Sequence, residues 1–326
     1  MKAHKQYGMT LIELMVALAI GAFLMIGAIT VFMQSRTTFR VTESLSRLQE
    51  NARFALQVLE PEIRMAHYWG LTPTSTNVGN RARPTAANGP GPDGCGNNWT
   101  INLDQAVEGS NNNYPFACAG FGTVEANADT LTVRRASEDF ETPPLTGGAT
   151  MRIQSIRGTG DSQIFVGTAI PGGFNVLTSE THRLIVNGFY VSRDSTLGVG
   201  IPSLRVHTLQ TDGTIADQEV IPGVEDLQVQ FGVDTDAVNT DDRGSIDRYV
   251  NTDDPMISPT NAGFNPTAEI LAVRIWVRVR AERLENGFTD TTNYVYADQN
   301  VGPFNDGFRR LVVSKTIYLR NARPAS

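Results

Sequence analysis

Residues 8–33 read GMTLIELMVALAIGAFLMIGAITVFM, an apolar run broken by one charged side chain, Glu13. Roughly 20 apolar residues in a helix cross the hydrocarbon core of a bilayer, so the run predicts a transmembrane helix over 9–33. Ahead of it stand eight residues, MKAHKQYG, whose Lys2 and Lys5 favour a cytoplasmic N-terminus. A carboxylate within a spanning segment costs on the order of 2.5 kcal/mol or more, so Glu13 is expected to have a partner. A secretory signal peptide would carry a small-residue cleavage site after its apolar core, and this run instead continues into a helix. An uncleaved signal anchor accounts for the lysines and the apolar run, with Glu13 as an incidental interfacial residue.

Beyond Met33 the pattern changes from apolar all round to one stripe. From Gln34 to about Met65, Leu45, Leu48, Ala52, Ala55, Leu59 and Ile63 recur by threes and fours, the spacing of a helix that packs one face on a core. Arg36, Arg40, Glu43, Arg47, Glu50, Arg53 and Glu60 take the other side as a solvated face, and Pro61 is expected to end or kink the helix. Together the two segments predict a helix roughly 80 Å long at 1.5 Å per residue. The amphipathic part and its exit are assigned to 34–70.

Residues 71–326 read as a β-rich domain. Its first part, 71–128, is rich in Asn, Gly, Pro, Thr and Ser and reads as a long loop. Strand patterns follow at Asp129–Ala136, Arg183–Arg193, Ser203–Leu209, Val224–Val233, Ile270–Ala281 and Leu311–Arg320. In ILAVRIWVRVRA, the side chains of Leu271, Val273, Ile275, Val277 and Val279 share one face, opposite Arg274, Trp276, Arg278 and Arg280. A helix in front of a mainly antiparallel sheet is an α+β fold.

Composition narrows the function. The charged share is 19% and the net charge −7, without a cluster of Lys or Arg dense enough to neutralise phosphates, so no nucleic-acid partner is expected. The two cysteines, Cys95 and Cys118, lie in one loop-like stretch, and an even count in an exported domain suggests one disulfide. Asp234, Asp236, Asp241 and Asp247 crowd a segment with Gly244, an oxygen-rich set that suits Ca²⁺, against the plainer reading of a solvated acidic turn. Arg243 stands just before Gly244, which departs from the spacing of a helix-loop-helix calcium loop. No H-E-x-x-H, G-x-S-x-G, Walker A or G-x-G-x-x-G element occurs, and His4, His67, His182 and His207 are scattered, so an enzyme is not expected. His67, beside Tyr68 and Trp69, reads as a packing residue at the helix end.

The order G-M-T-L-I-E-L-M-V-A-L-A-I-G resembles the type IV prepilin signature. That resemblance implies removal of a leader, 1–8, by prepilin peptidase after Gly8, N-methylation of the new first residue Met9, and pairing of Glu13 with the N-terminal amine of a neighbouring subunit. The pairing is sensible physics, because the cut creates a cation at Met9 in a low-dielectric setting and Glu13 supplies the counter-charge. Removing Lys2 and Lys5 takes the net charge from −7 to −9. The run lacks the proline that major pilins commonly carry in this helix.

Further along, ENARFALQVLEPEIRMAHYWG, DTLTVRRAS, VEDLQVQFGVDTD, AVRIWVRVRAE, RR-x-V at Arg309 to Val312, and LRN resemble PilW-type minor pilins of type IV pilus assembly. The resemblance implies a single-pass protein of the bacterial inner membrane with its C-terminal domain in the periplasm. There it would join other minor pilins and the major pilin in a complex that primes the filament, with the pilus tip as one location and a tip adhesin as one candidate partner. Two other readings stand beside it: a minor pseudopilin of type II secretion, which shares leader and spine, and a binding module acting through the 71–128 loop.

Overall fold

The computed structural model describes residues 8–79, 95–96, 98–157, 162–171, 175, 177–236, 242–259 and 261–322. It divides into two units, Met1–Arg47 and Leu48–Ser326, and one helix, α1 (Leu11–Arg64), contributes to both. In the first unit the large apolar side chains from Met9 to Phe39 are exposed, and an 18-residue window of mean hydropathy 2.5 has none of its residues buried. The hydroxyls of Thr30, Thr37, Thr38 and Thr42 return to carbonyls three or four residues earlier, so the polar groups in this stretch are satisfied within the helix.

In the second unit the same helix behaves differently. Leu48, Ala52, Ala55, Leu59 and Ile63 are buried, as their spacing predicts, whereas Leu45, still in the first unit, is 42% exposed. Pro61 does not end the helix at once but stands in its last turn: α1 continues to Arg64. A proline in the last turn removes one N–H, and its carbonyl still accepts the amide of Met65 at 3.1 Å. The exit is made by His67, whose φ of +64° is left-handed, three residues before Gly70.

The strands are β1 (Val78–Gly79), β2 (Val107–Ser110), β3 (Thr130–Glu141), β4 (Met151–Ile156), β5 (Ser162–Val166), β6 (Ser179–Ser192), β7 (Ser203–Leu209), β8 (Ile215–Pro222), β9 (Val224–Asp234), β10 (Arg248–Asn251), β11 (Glu269–Arg280), β12 (Tyr294–Tyr296), β13 (Gln299–Val301) and β14 (Arg310–Tyr318). One sheet runs β1-β5-β4-β6-β3-β2, with β7 beside β6 and β8 beside β7; a second runs β10-β9-β11-β14; β12 and β13 form a hairpin. Apart from the short β1 and β5 pair, the strands pair antiparallel.

The buried stripe of α1 packs on Leu131, Val133, Phe189 and Val191 of the first sheet and on Leu227, Val229, Val273, Ile275, Val277 and Ile317 of the second. A second apolar cluster lies on the far face of the first sheet, where Trp69, Trp99, Ile101, Leu103 and Phe116 cover Ala136, Ile153, Leu184, Val186 and Tyr190. The segment expected as loop therefore contributes β1, β2 and this cover. Its apolar residues are too widely spaced to show a period.

Candidate functional site

The N-terminal candidate begins with Gly8, which has no heavy atom near the position of a Cβ, and Met9, which is 70% exposed. Residues 1–7, with Lys2 and Lys5, lie outside the described residues. Thr10 stands at the start of α1, and its N–H and its hydroxyl each donate to Glu13 Oε2 at 3.0 Å. The Glu13 amide donates back to the Thr10 hydroxyl at 3.4 Å. This reciprocal pair is a capping box, T-x-x-E, which satisfies free donors of the first helical turn. The signal was present in the sequence as T-L-I-E before an apolar run, and it gives Glu13 a local structural task besides any partner.

Cys95 and Cys118 are joined by a disulfide with their Cα atoms 4.2 Å apart. Cys95 is buried near Trp99 and Phe116, and the Ala117 amide donates to the Cys95 carbonyl at 3.1 Å. His207 lies beside the bridge, and its Nε2 is 2.7 Å from the Tyr114 hydroxyl. Burial lowers the His207 pKa, with Arg205 adding to the effect and Asp217 opposing it.

Of the four aspartates read as calcium ligands, the fold brings three together: carboxylate oxygens of Asp234, Asp236 and Asp247 lie within 4.8 Å of one another. Asp241 lies outside the described residues. Asp234 is buried and accepts the amides of Asp236 at 2.8 Å and Gly244 at 2.5 Å, while Asp247 accepts the amide and hydroxyl of Thr235 at 2.7 and 2.6 Å. Desolvation, then the charges of Asp242, Asp247 and Asp234, push the Asp236 pKa up. Arg243, which broke the expected spacing, bonds the Asp236 carbonyl and Glu269, both at 2.8 Å. The cluster thus closes its own loop through backbone donors.

Sequence reading gave the arginines no role, and the structure gives them one. Arg134 is fully buried and donates to the carbonyls of Trp99 and Gln105 and to Glu108, each at 2.6 Å. Arg152 reaches Glu141 at 2.5 Å and the Gly167 carbonyl at 2.7 Å. Arg135 holds Glu62 of α1 through two bonds of 3.1 and 2.9 Å, and Asn187 donates to the same carboxylate at 3.1 Å. A planar fork of five donors can satisfy several acceptors at once, which suits arginine rather than lysine to these buried places in a chain of 24 arginines and three lysines. His182 is likewise occupied, its Nδ1 2.9 Å from the Ser137 carbonyl.

With this geometry in place, the comparisons with known proteins are specific. Residues 188–321, from late β6 through β14, match the family model described as Type IV Pilus-assembly protein W, and residues 3–29 match the prokaryotic N-terminal methylation motif. The chain carries a PilW-type domain behind a type IV pilin-like N-terminus. No curated protein matches the PilW-type chain. Among solved structures it is similar to a type IV-like pilin from Thermus thermophilus, at 13% identity over 87% of this chain and 100% of that one, with a TM-score of 0.35. That likeness is too loose to bear on role. The PilW-type domain, the methylation motif and the exposed apolar helix accord with type IV pilus assembly and membrane anchoring.

Proposed function

We propose that the PilW-type chain is a minor pilin that primes type IV pilus assembly from the inner membrane, within a complex of other minor pilins and the major pilin. In this reading prepilin peptidase cuts after Gly8, the new N-terminus at Met9 is methylated, and the domain beyond α1 stands in the periplasm. The observation that supports it most is the sole carboxylate of the exposed apolar run 9–33, Glu13, four residues after the first residue of the cut chain. In hydrocarbon, the Met9 ammonium of a neighbouring subunit would offset the cost of that charge, and a pair of this kind sets axial register between helices. The PilW-type match favours a pilus over a type II secretion complex.

The capping box supplies the experiment. Glutamine serves the box nearly as well as glutamate but carries no charge, so Glu13→Gln removes the ion pair and keeps the cap. Thr10→Val does the reverse. In the host, Glu13→Gln is expected to abolish co-purification with pilus subunits and surface piliation, and Thr10→Val to leave both near wild type. The opposite pattern would make Glu13 a helix cap and overturn the register role.

A further inference from the structure

Strand edges differ in how they end. In the first sheet β1 has two residues and β2 four, and in the second β10 has four. The longer β8 meets β7 across a register shift between Leu204 and Arg205, ends in Pro222, and carries Asp217 and Glu219. Short length, irregularity, proline and charge are the usual devices that keep an edge from pairing with another chain.

The edge at β14 lacks the first three. Its nine residues pair with β11 in unbroken register from Arg310 to Tyr318, without proline. Its one mid-strand charge, Lys315, is held at 2.5 Å by Glu60 of α1. The Leu319 amide donates to the Leu271 carbonyl at 2.9 Å and the Ala281 amide to the Arg309 carbonyl at 2.8 Å. In an antiparallel ladder this places the odd-numbered residues of β14 in the bonds to β11. The N–H and C=O groups of Val312, Ser314, Thr316 and Tyr318 then point away from the sheet. These backbone groups have no backbone partner among the described residues.

Side chains beside the edge indicate what would cover it. Leu311, Val313 and Leu56 are only partly buried at the margin of the main core. Arg64 and Lys315 share the single carboxylate of Glu60, and Arg320 is exposed just past the strand. Arg310 at the start of β14 is enclosed by Glu225, Asp290 and Asp306, whereas from Lys315 onward three cations meet one anion and make that end of the edge positive in a chain whose net charge is −7. Two copies joined edge to edge would bring two such margins together, which like charges oppose.

We propose that β14 is a strand-addition site for an extended, acidic segment of a partner protein, which pairs with the outward groups of Val312, Ser314, Thr316 and Tyr318. Apolar side chains of that segment cover Leu311 and Val313, and its carboxylates meet Arg64, Lys315 and Arg320. Main-chain bonds supply affinity and alternate side chains supply selectivity. This site is independent of Glu13 and of membrane register, so its test stands apart from that of the assembly role.

The test uses the full chain in detergent micelles and a synthetic nonapeptide alternating valine and glutamate, with a valine and glutamine counterpart. The acidic peptide is expected to slow amide hydrogen exchange at Val312, Ser314, Thr316 and Tyr318 by about tenfold or more at concentrations up to about 1 mM. The neutral counterpart should need several-fold more peptide, a gap that salt narrows. Ser314→Pro removes one outward N–H without breaking a β11 bond and should abolish the protection. Arg320→Glu, exposed and outside the strand, should weaken the acidic peptide several-fold and leave the neutral one unchanged. Absence of protection at about 1 mM, or equal protection in Ser314→Pro, overturns the proposal. Protection that rises with the chain's own concentration and needs no peptide overturns it in favour of a second copy.

Discussion

The two parts of helix α1 are both rich in apolar residues, the first more so, and have opposite surroundings. Up to Arg47 its leucines, isoleucines, methionines and phenylalanines are exposed, with Phe23 at 76%, whereas Leu48, Leu59 and Ile63 are at 2% or less. The difference lies in pattern. Apolar residues all round a helix have no preferred face for a folded domain and suit a surrounding apolar solvent, whereas a stripe backed by charge fits one sheet surface. One continuous helix thus joins a segment made for lipid or other helices to a segment made for its own sheets.

The largest expected effect comes from the polar contact that fixes the second part. Glu62→Ala leaves Arg135 buried with its main carboxylate gone, and chemical unfolding of the full chain in detergent should show a loss of about 4 kcal/mol. Leu59→Ala, at a fully buried site, should cost about 3 kcal/mol by the same measurement. A loss below about 1 kcal/mol would mean the stripe is not held by the sheets.

Next is a pH effect on the strands beneath the stripe. Asp129 accepts the amides of Asn112 and Val229 at 2.8 and 2.7 Å, and burial raises its pKa to about 7. The folded state then keeps a proton that an unfolded chain, with a carboxylate near 4, has released. Its contribution is full below about pH 4, declines as pH rises through 7, and is flat above. Urea titrations of Asp129→Asn and wild type should show the variant gaining relative stability across that window and no further above it. The smallest effect is predicted for Leu18→Ala in the exposed part, which should move unfolding of the β-rich unit by less than about 0.5 kcal/mol.

Sequence pattern revealed both parts of this helix and the long strands, because β3, β6, β7, β9, β11 and β14 carry runs or alternations of branched side chains. It missed β4, β5 and β8 among the longer strands, and in β4 and β8 the physical reason is the same. MRIQSI buries Arg152 and Gln154 beside Met151 and Ile153, and IADQEVIP places Asp217 and Glu219 against Arg205. Buried polar groups with partners look, residue by residue, like loop. Leu45 fits the helical period and is nonetheless exposed, because period marks a face and does not mark where the packing surface begins. At the candidate site, the spacing of Gly8, Met9 and Glu13 was legible, and so was the capping box of Thr10, had T-x-x-E been read as a helix start. The cluster of Asp234, Asp236 and Asp247 was legible as a set of acids, but the backbone amides that occupy Asp234 and Asp247 depend on the turn between β9 and β10.

On the proposed processing, the working chain begins at Met9, two residues before α1. Intact-mass and N-terminal peptide mass spectrometry of the chain purified from its host membranes tests it directly. The expected product lacks residues 1–8 and starts with N-methylated Met9; a chain that retains Met1 to Gly8, or starts at an unmodified residue elsewhere, rules the processing out.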